Sequence, residues 1–158
     1  MHFTNLLTSA LLGVAAAASG PQAEAEDAIK IVDFYAIKKS VDATAGGAVT
    51  MVSFQINPPF GGSSVPIPCA ATVAEGENEL RFDSASYSCK TSLNKADQYS
   101  FKIGSPDSRG VFDITVSHKD GSKLGAQGRV SVPTSCQTGS ADSVVCSQDG
   151  DVTVKMSN

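Results

Sequence analysis

The chain has 158 residues, 41% of them hydrophobic and 18% charged, and its 12 Lys and Arg against 16 Asp and Glu give a formal net charge of −4. The basic residues do not cluster, which argues against nucleic acid, where a basic face must displace counterions, and against an anionic membrane surface. It holds four cysteines, no tryptophan and a single histidine after position 2, so a histidine-based triad would have to use that one residue.

In chain order, "MHFTNLLTSALLGVAAAASG" (1–20) opens polar, runs apolar from 6 to 18 and ends in small residues. This reads as a secretory signal peptide, although it lacks the usual basic start. Thirteen apolar-to-small residues are too few to span a bilayer, and no later run approaches the roughly 20 required. Residues 21–28, "PQAEAEDA", are small, acidic and unpatterned, a flexible lead-in. Residues 29–158 are expected to form one domain.

From residue 29 the dominant period is two, the signature of half-buried strands. "IKIVDFYAI" (29–37) is mixed: Asp33 breaks the alternation, as a bulge or a strand buried on both faces would. "VTMVSFQI" (49–56) buries Val52, Phe54 and Ile56. "NPPFGGSSVPIP" is a loop by its Gly and Pro content. "TSLNKAD" (91–97) has room for one helical turn. "QYSFKIG" turns Tyr99, Phe101 and Ile103 inward, and "VFDITVSH" does the same with Phe112, Ile114 and Val116, with "GSPDSRG" as the turn between them. "KLGAQGRVSV" points Leu124, Ala126, Val130 and Val132 inward. Because even-numbered residues face in on both sides of "HKDGSK", an odd-length turn, Lys119-Asp120-Gly121, is predicted there. "DVTVKM" buries Val152, Val154 and Met156, with "QDGD" before it read as the last hairpin turn. About nine or ten short strands at this spacing make an all-β domain, a barrel or a sandwich.

An even cysteine count in an exported chain reads as two disulfides. The spacings of 20, 47 and 10 offer neither the Cys-x2-4-Cys pairs of zinc sites nor Cys-x-x-Cys. Three pairings are possible; joining sequence neighbours, Cys69 with Cys89 and Cys136 with Cys146, needs the least chain crossing. Each such loop is worth roughly 3 kcal/mol in the chain-entropy description.

No catalytic constellation stands out, and no metal or cofactor is expected. His118 sits at a strand end with no partner motif and reads as a half-buried hairpin residue rather than a triad base. Glu75, Glu77 and Glu79 in "EGENEL" share strand-like spacing that would suit glycoside hydrolysis or calcium, but Gly76 and Asn78 make a solvated turn the simpler reading. Phosphate-loop and Asn-linked glycan motifs are missing. A surface rich in Ser, Thr, Gln and Asp suits binding.

"IKIVDFYAIKK", "CAATV", "SYSC" (86–89), "YSFKI" and "VPTSCQTGSADSVVCSQDGDVTVKM" together resemble the Alternaria-type major allergen family, small secreted proteins of filamentous fungi, in order and rough spacing from 29 to 156. The resemblance implies an antiparallel β-barrel of about ten or eleven strands and the same two bridges. It implies a non-catalytic protein of the apoplast or fungal cell wall, an allergen, effector or elicitor that binds a plant defence protein. It also implies, as an alternative, a carrier of small aromatic, flavonoid-like ligands; a barrel mouth or an aromatic groove near Phe34, Tyr35 and Phe60 is where such a ligand is expected. A secreted hydrolase using His118 or the glutamates is the remote reading. Two departures matter. The extra cysteine ahead of the first strand that links two chains in the best-known member is missing, so a monomer or a non-covalent dimer is expected. The family's "FYGRKP"-like stretch is here "FYAIKK" (34–39), without its glycine and proline.

Overall fold

Period-two alternation builds ten strands in the computed structural model, which describes residues 28–39, 47–58, 65–90, 97–120, 123–139 and 143–157. They are β1 (Ala28–Lys39), β2 (Ala48–Asn57), β3 (Ile67–Thr72), β4 (Tyr87–Ser88), β5 (Asp97–Ile103), β6 (Phe112–Asp120), β7 (Lys123–Val132), β8 (Thr134–Thr138), β9 (Ser143–Gln148) and β10 (Val152–Lys155). All strand pairs are antiparallel, as the sequence indicated. One sheet runs β3-β2-β1-β9-β8 with β10 also paired to β1; the other runs β4-β5-β6-β7. The expected signal segment and most of the lead-in lie outside the described residues, and Ala28 already pairs with Lys155.

The two sheets meet at two seams rather than closing into one continuous ladder. At one, Cys69 and Cys89 face each other as an isolated bridge and are joined as a disulfide. At the other, Gln127 and Ser157 exchange backbone bonds of 2.8 and 2.9 Å. That second seam requires glycine beside it: a Cβ on Gly128 would run into the Lys155 carbonyl and the Val154 side chain. The first seam is thus both covalent and hydrogen-bonded, with the Lys90 amide donating to the Pro68 carbonyl at 2.9 Å, and the second is hydrogen-bonded alone.

The core lies between the sheets and is organised by phenylalanines. Phe34 packs on Phe54 and on Phe112 with ring centroids 6.1 and 5.2 Å apart, and Phe54 meets Phe101 edge-on at 4.8 Å. Two of these rings come from each sheet, so the aromatic chain crosses the interior. Such pairs add about 0.5–1.5 kcal/mol each beyond the area they bury. Val52, Ile56, Ile103, Ile114, Val116 and Val154 fill the space between and are fully buried, on the faces the alternation assigned.

Register departs from the sequence reading in two places. The body of the β6–β7 hairpin keeps even-numbered residues inward, with Phe112 opposite Val132 and Ile114 opposite Val130. The pairing slips between Ser117 and Lys119, so Asp120 faces Lys123 and the strands are joined by residues 121–122. The predicted Lys119-Asp120-Gly121 turn is thus wrong: a bulge in β7, where Gly125 and Ala126 together oppose His118, absorbs the parity that an odd turn was invoked to absorb. "QDGD" is not a hairpin turn either. β9 and β10 both run antiparallel to β1 along one edge, so the chain passes from one to the other without reversing. The helical turn expected at 91–97 falls on residues outside the description except Asp97, which opens β5. The side chain of Leu124 is likewise outside it.

Both disulfides join the cysteines expected, Cys69 to Cys89 and Cys136 to Cys146. Their surroundings differ. Cys69 and Cys89 are 0% and 7% exposed, whereas Cys136 lies on the exposed strand β8. Thiolate attack needs access to sulfur, so limited reduction without denaturant is expected to open Cys136–Cys146 first, read by alkylation and peptide mass. Opening Cys69–Cys89 as well is expected to lower the melting temperature by well over 5 °C, given roughly 3 kcal/mol for such a loop. Simultaneous opening of both would contradict this ranking.

Candidate functional site

The most distinctive local geometry sits where β1 changes both its inward phase and its partner. Ile29 and Ile31 face the core before Asp33; Phe34, Ala36 and Lys38 face it afterwards. On the β2 side Val32 pairs with Gln55 and Tyr35 with Ser53, so Asp33 and Phe34 together oppose Phe54 alone. This is a β-bulge, the first of the two explanations for the broken alternation. Its first residue adopts φ +55°, a conformation usually given to glycine and tolerated by Asp because its short polar side chain is compatible with it.

On the other edge of β1, Ala28–Ile31 pairs with β10 and Tyr35–Lys39 with β9. Between them β1 has three residues and the opposing chain four, 148–151, so the ladder opens into a fork. Gln148 spans it. Its Oε1 accepts from the Phe34 amide at 3.1 Å, and its Nε2 donates to the carbonyls of Ile31 at 3.0 Å and Gly150 at 2.7 Å. The side-chain amide replaces the ladder rung that the fork removes. Gly150, at φ +72°, turns the chain back toward β1.

The fork leaves an open groove of about 600 Å³ lined by residues 32–35 of β1, Ser147 and Gln148 of β9, and Gly150 and Asp151 of the connection. Asp33 and Asp151 are both exposed. Among the described residues neither carboxylate has a hydrogen bond or an ion pair. Some other acids are engaged: Asp113 accepts from Ser131 and Arg129 at 2.6 Å each, Asp149 from Ser135 at 2.7 Å, and Asp107 from Arg109 and Val111. The Ser131 and Arg129 bonds hold Asp113 below the usual carboxylate range, and the Val111 amide leads the same effect at Asp107.

Of the residues proposed from sequence for ligand contact, Phe34 and Tyr35 both line this groove. The Phe34 ring is 1% exposed and committed to the core, while Tyr35 is half-buried. Phe60 lies outside the described residues. His118 is half-buried at the hairpin bulge and stacks on Tyr99 with centroids 4.5 Å apart, consistent with its structural reading. Glu75 and Glu79 are exposed in a turn closed by the Glu77 amide to the Ala74 carbonyl, and Glu77 pairs with Arg81. No group of three or more His, Cys, Asp or Glu placed to hold a metal ion occurs among the described residues.

Sequence reasoning missed three structural features. Gln148 and Asp151 looked like turn residues, and only the phase break at Asp33 hinted at a fork. Lys38 was not singled out: it is buried, with Nζ 5.6 Å from the Phe112 ring centroid. Burial lowers its pKa, with Asp107 opposing the shift.

The family model for Alternaria alternata allergen 1 matches residues 31–146. The chain belongs to that family. Two crystal structures of the Alternaria alternata major allergen Alt a 1 share the fold. One aligns with a TM-score of 0.61 at 20% identity, covering 84% of this chain and 94% of that one. The other gives 0.60 at 22% identity, covering 89% and 95%. No curated protein sequence matches. These descriptions name an allergen and no enzymatic activity. The family match takes in the β1 half of the groove and stops two residues short of Gln148.

The fork makes a direct stability claim. Gln148→Leu strands a backbone N–H and two carbonyls at a half-buried site and is expected to cost about 2 kcal/mol, a loss of roughly 5–10 °C in melting temperature. Asp33→Gly is expected to be neutral or slightly stabilising, and Asp33→Val strongly destabilising, because a β-branched residue tolerates positive φ poorly. Thermal unfolding of the three variants checks the set; a Gln148→Leu protein melting like the parent would remove the amide's structural role.

Proposed function

We propose that this protein is a secreted, non-catalytic effector of the allergen 1 type, which docks on a plant defence protein in the apoplast and elicits or suppresses defence. Family membership carries the reading. The N-terminal segment, with its apolar run and small-residue end, and the two disulfides support an oxidising, extracellular setting. The open groove at the β1 fork, with uncommitted carboxylates on a rigid sheet, supports contact with a macromolecule more than turnover of a substrate.

A second reading, carriage of a flavonoid-like molecule, has one observation in its favour. The groove volume lies in the range of small-molecule sites, and Tyr35 offers an aromatic surface. It is the weaker reading because the second ring once expected there, Phe34, is enclosed by the core.

Oxidised protein infiltrated into leaf tissue and recovered with its apoplastic partners tests the first reading. A local defence response and one reproducibly captured host protein are expected; neither response nor specific capture would overturn it. A melting shift of several degrees with a flavonol, lost in Tyr35→Ala, would instead favour the carrier.

A further inference from the structure

We propose that the groove at the β1 fork receives an arginine or lysine side chain from a basic segment of the partner protein. The inference rests on the docking reading above and specifies the chemistry of the contact.

Three observations carry it. First, Asp33 and Asp151 stand on the two walls of the groove, one on β1 and one on the connection between β9 and β10, and both are exposed. Neither is neutralised among the described residues, whereas Asp107, Asp113 and Glu77 are each paired with an arginine; Glu75, Glu79 and Asp83 are also unpaired there but line no groove with a second acid. No lysine or arginine lines the groove. Second, Val32 and Tyr35 line the same groove as the two carboxylates. An alkyl stem with a cationic head matches that pairing: the stem lies on apolar surface, the head reaches the carboxylates, and the phenol ring adds cation–π attraction. Third, the whole chain is net negative at −4, so long-range steering and local complementarity favour the same kind of partner. Ser147 and the Gly150 backbone add polar edge groups suited to the N–H fork of a guanidinium.

The walls are built to hold their spacing. Asp33 is fixed by the bulge, and the backbone leading to Asp151 is tied to β1 through the Gln148–Gly150 bond. A cationic side chain would enter a site whose shape is set before binding, which limits the ordering cost.

The test uses the oxidised, full chain, nitrogen-15 labelled, titrated with the capped tripeptide Ala-Arg-Ala and with its citrulline counterpart, which keeps the shape and loses the charge. The arginine peptide is expected to shift the amides of Asp33, Tyr35, Gln148 and Gly150, more weakly as salt rises, and the citrulline peptide to leave them in place. Asp33→Asn keeps a residue that accepts positive φ. With Asp151→Asn it is expected to weaken the arginine peptide at least about tenfold, each variant alone having a smaller effect. The inference is overturned if citrulline shifts the same amides equally, if the double variant binds unchanged, or if the arginine shifts map elsewhere. Calcium shifting these amides where the arginine peptide does not would overturn it in favour of a metal site. The two proposals separate cleanly. A double variant that still captures the leaf partner as the parent does sinks the groove assignment and leaves docking standing. A parent that captures no partner but binds the arginine peptide here keeps the groove chemistry and sinks its host-protein source.

Discussion

One strand has to do two incompatible things. β1 must present Ile29 and Ile31 to the core at its start and Phe34, Ala36 and Lys38 at its end, although a regular strand keeps one parity throughout. The conflict is resolved at Asp33, where one residue in a left-handed conformation shifts the phase. Because β1 lies at the centre of its sheet, the shift spreads to its neighbours. β2 must oppose two residues with one, and the other edge must be served by two separate strands. Without the shift Phe34 would face solvent, and the aromatic chain through Phe54 and Phe112 would lose its first member.

The groove is a by-product of that solution. A fork in a sheet leaves backbone groups without rungs, and buried groups of that kind are costly unless paired. Gln148 supplies the pairs from a side chain, which leaves the space in front of the fork unfilled by backbone. An open groove is thereby obtained without loosening the core, since Phe34 and Gln148, which line it, are held by the bond that closes the bulge.

The sequence was informative wherever the physics is local. Alternation placed Phe101, Ile103, Phe112, Ile114, Val116 and Val154 on the inner faces, and the cysteine count and spacing anticipated both bridges. It failed where register depends on distant chain. The slip at His118 balances the β6–β7 parity in a way no turn rule contains, and the collinear run of β9 and β10 along β1 is set by residues more than 100 positions away. "QDGD" has the composition of a tight turn and serves as a detour around a fork. Lys38 reads as a solvent residue and is buried because the phase shift five positions earlier turned it inward. Phe34 was expected at a ligand surface for its chemistry; the shift that positions the groove also sends its ring into the core. Asp33 was the one legible sign, a charged residue where the alternation should have continued.

The fork depends on the bond between the Phe34 amide and the Gln148 side chain. Native-state hydrogen exchange at Phe34 measures it directly, referenced to core amides of β6 so that global unfolding cancels. Phe34 should be protected in the parent despite lacking a backbone acceptor at the fork, and that protection should fall selectively, by about tenfold or more, in Gln148→Ala, the size expected for one net hydrogen bond of about 1.4 kcal/mol. Equal protection of Phe34 in both proteins would mean that something else holds the bulge, and the description of the fork would be wrong.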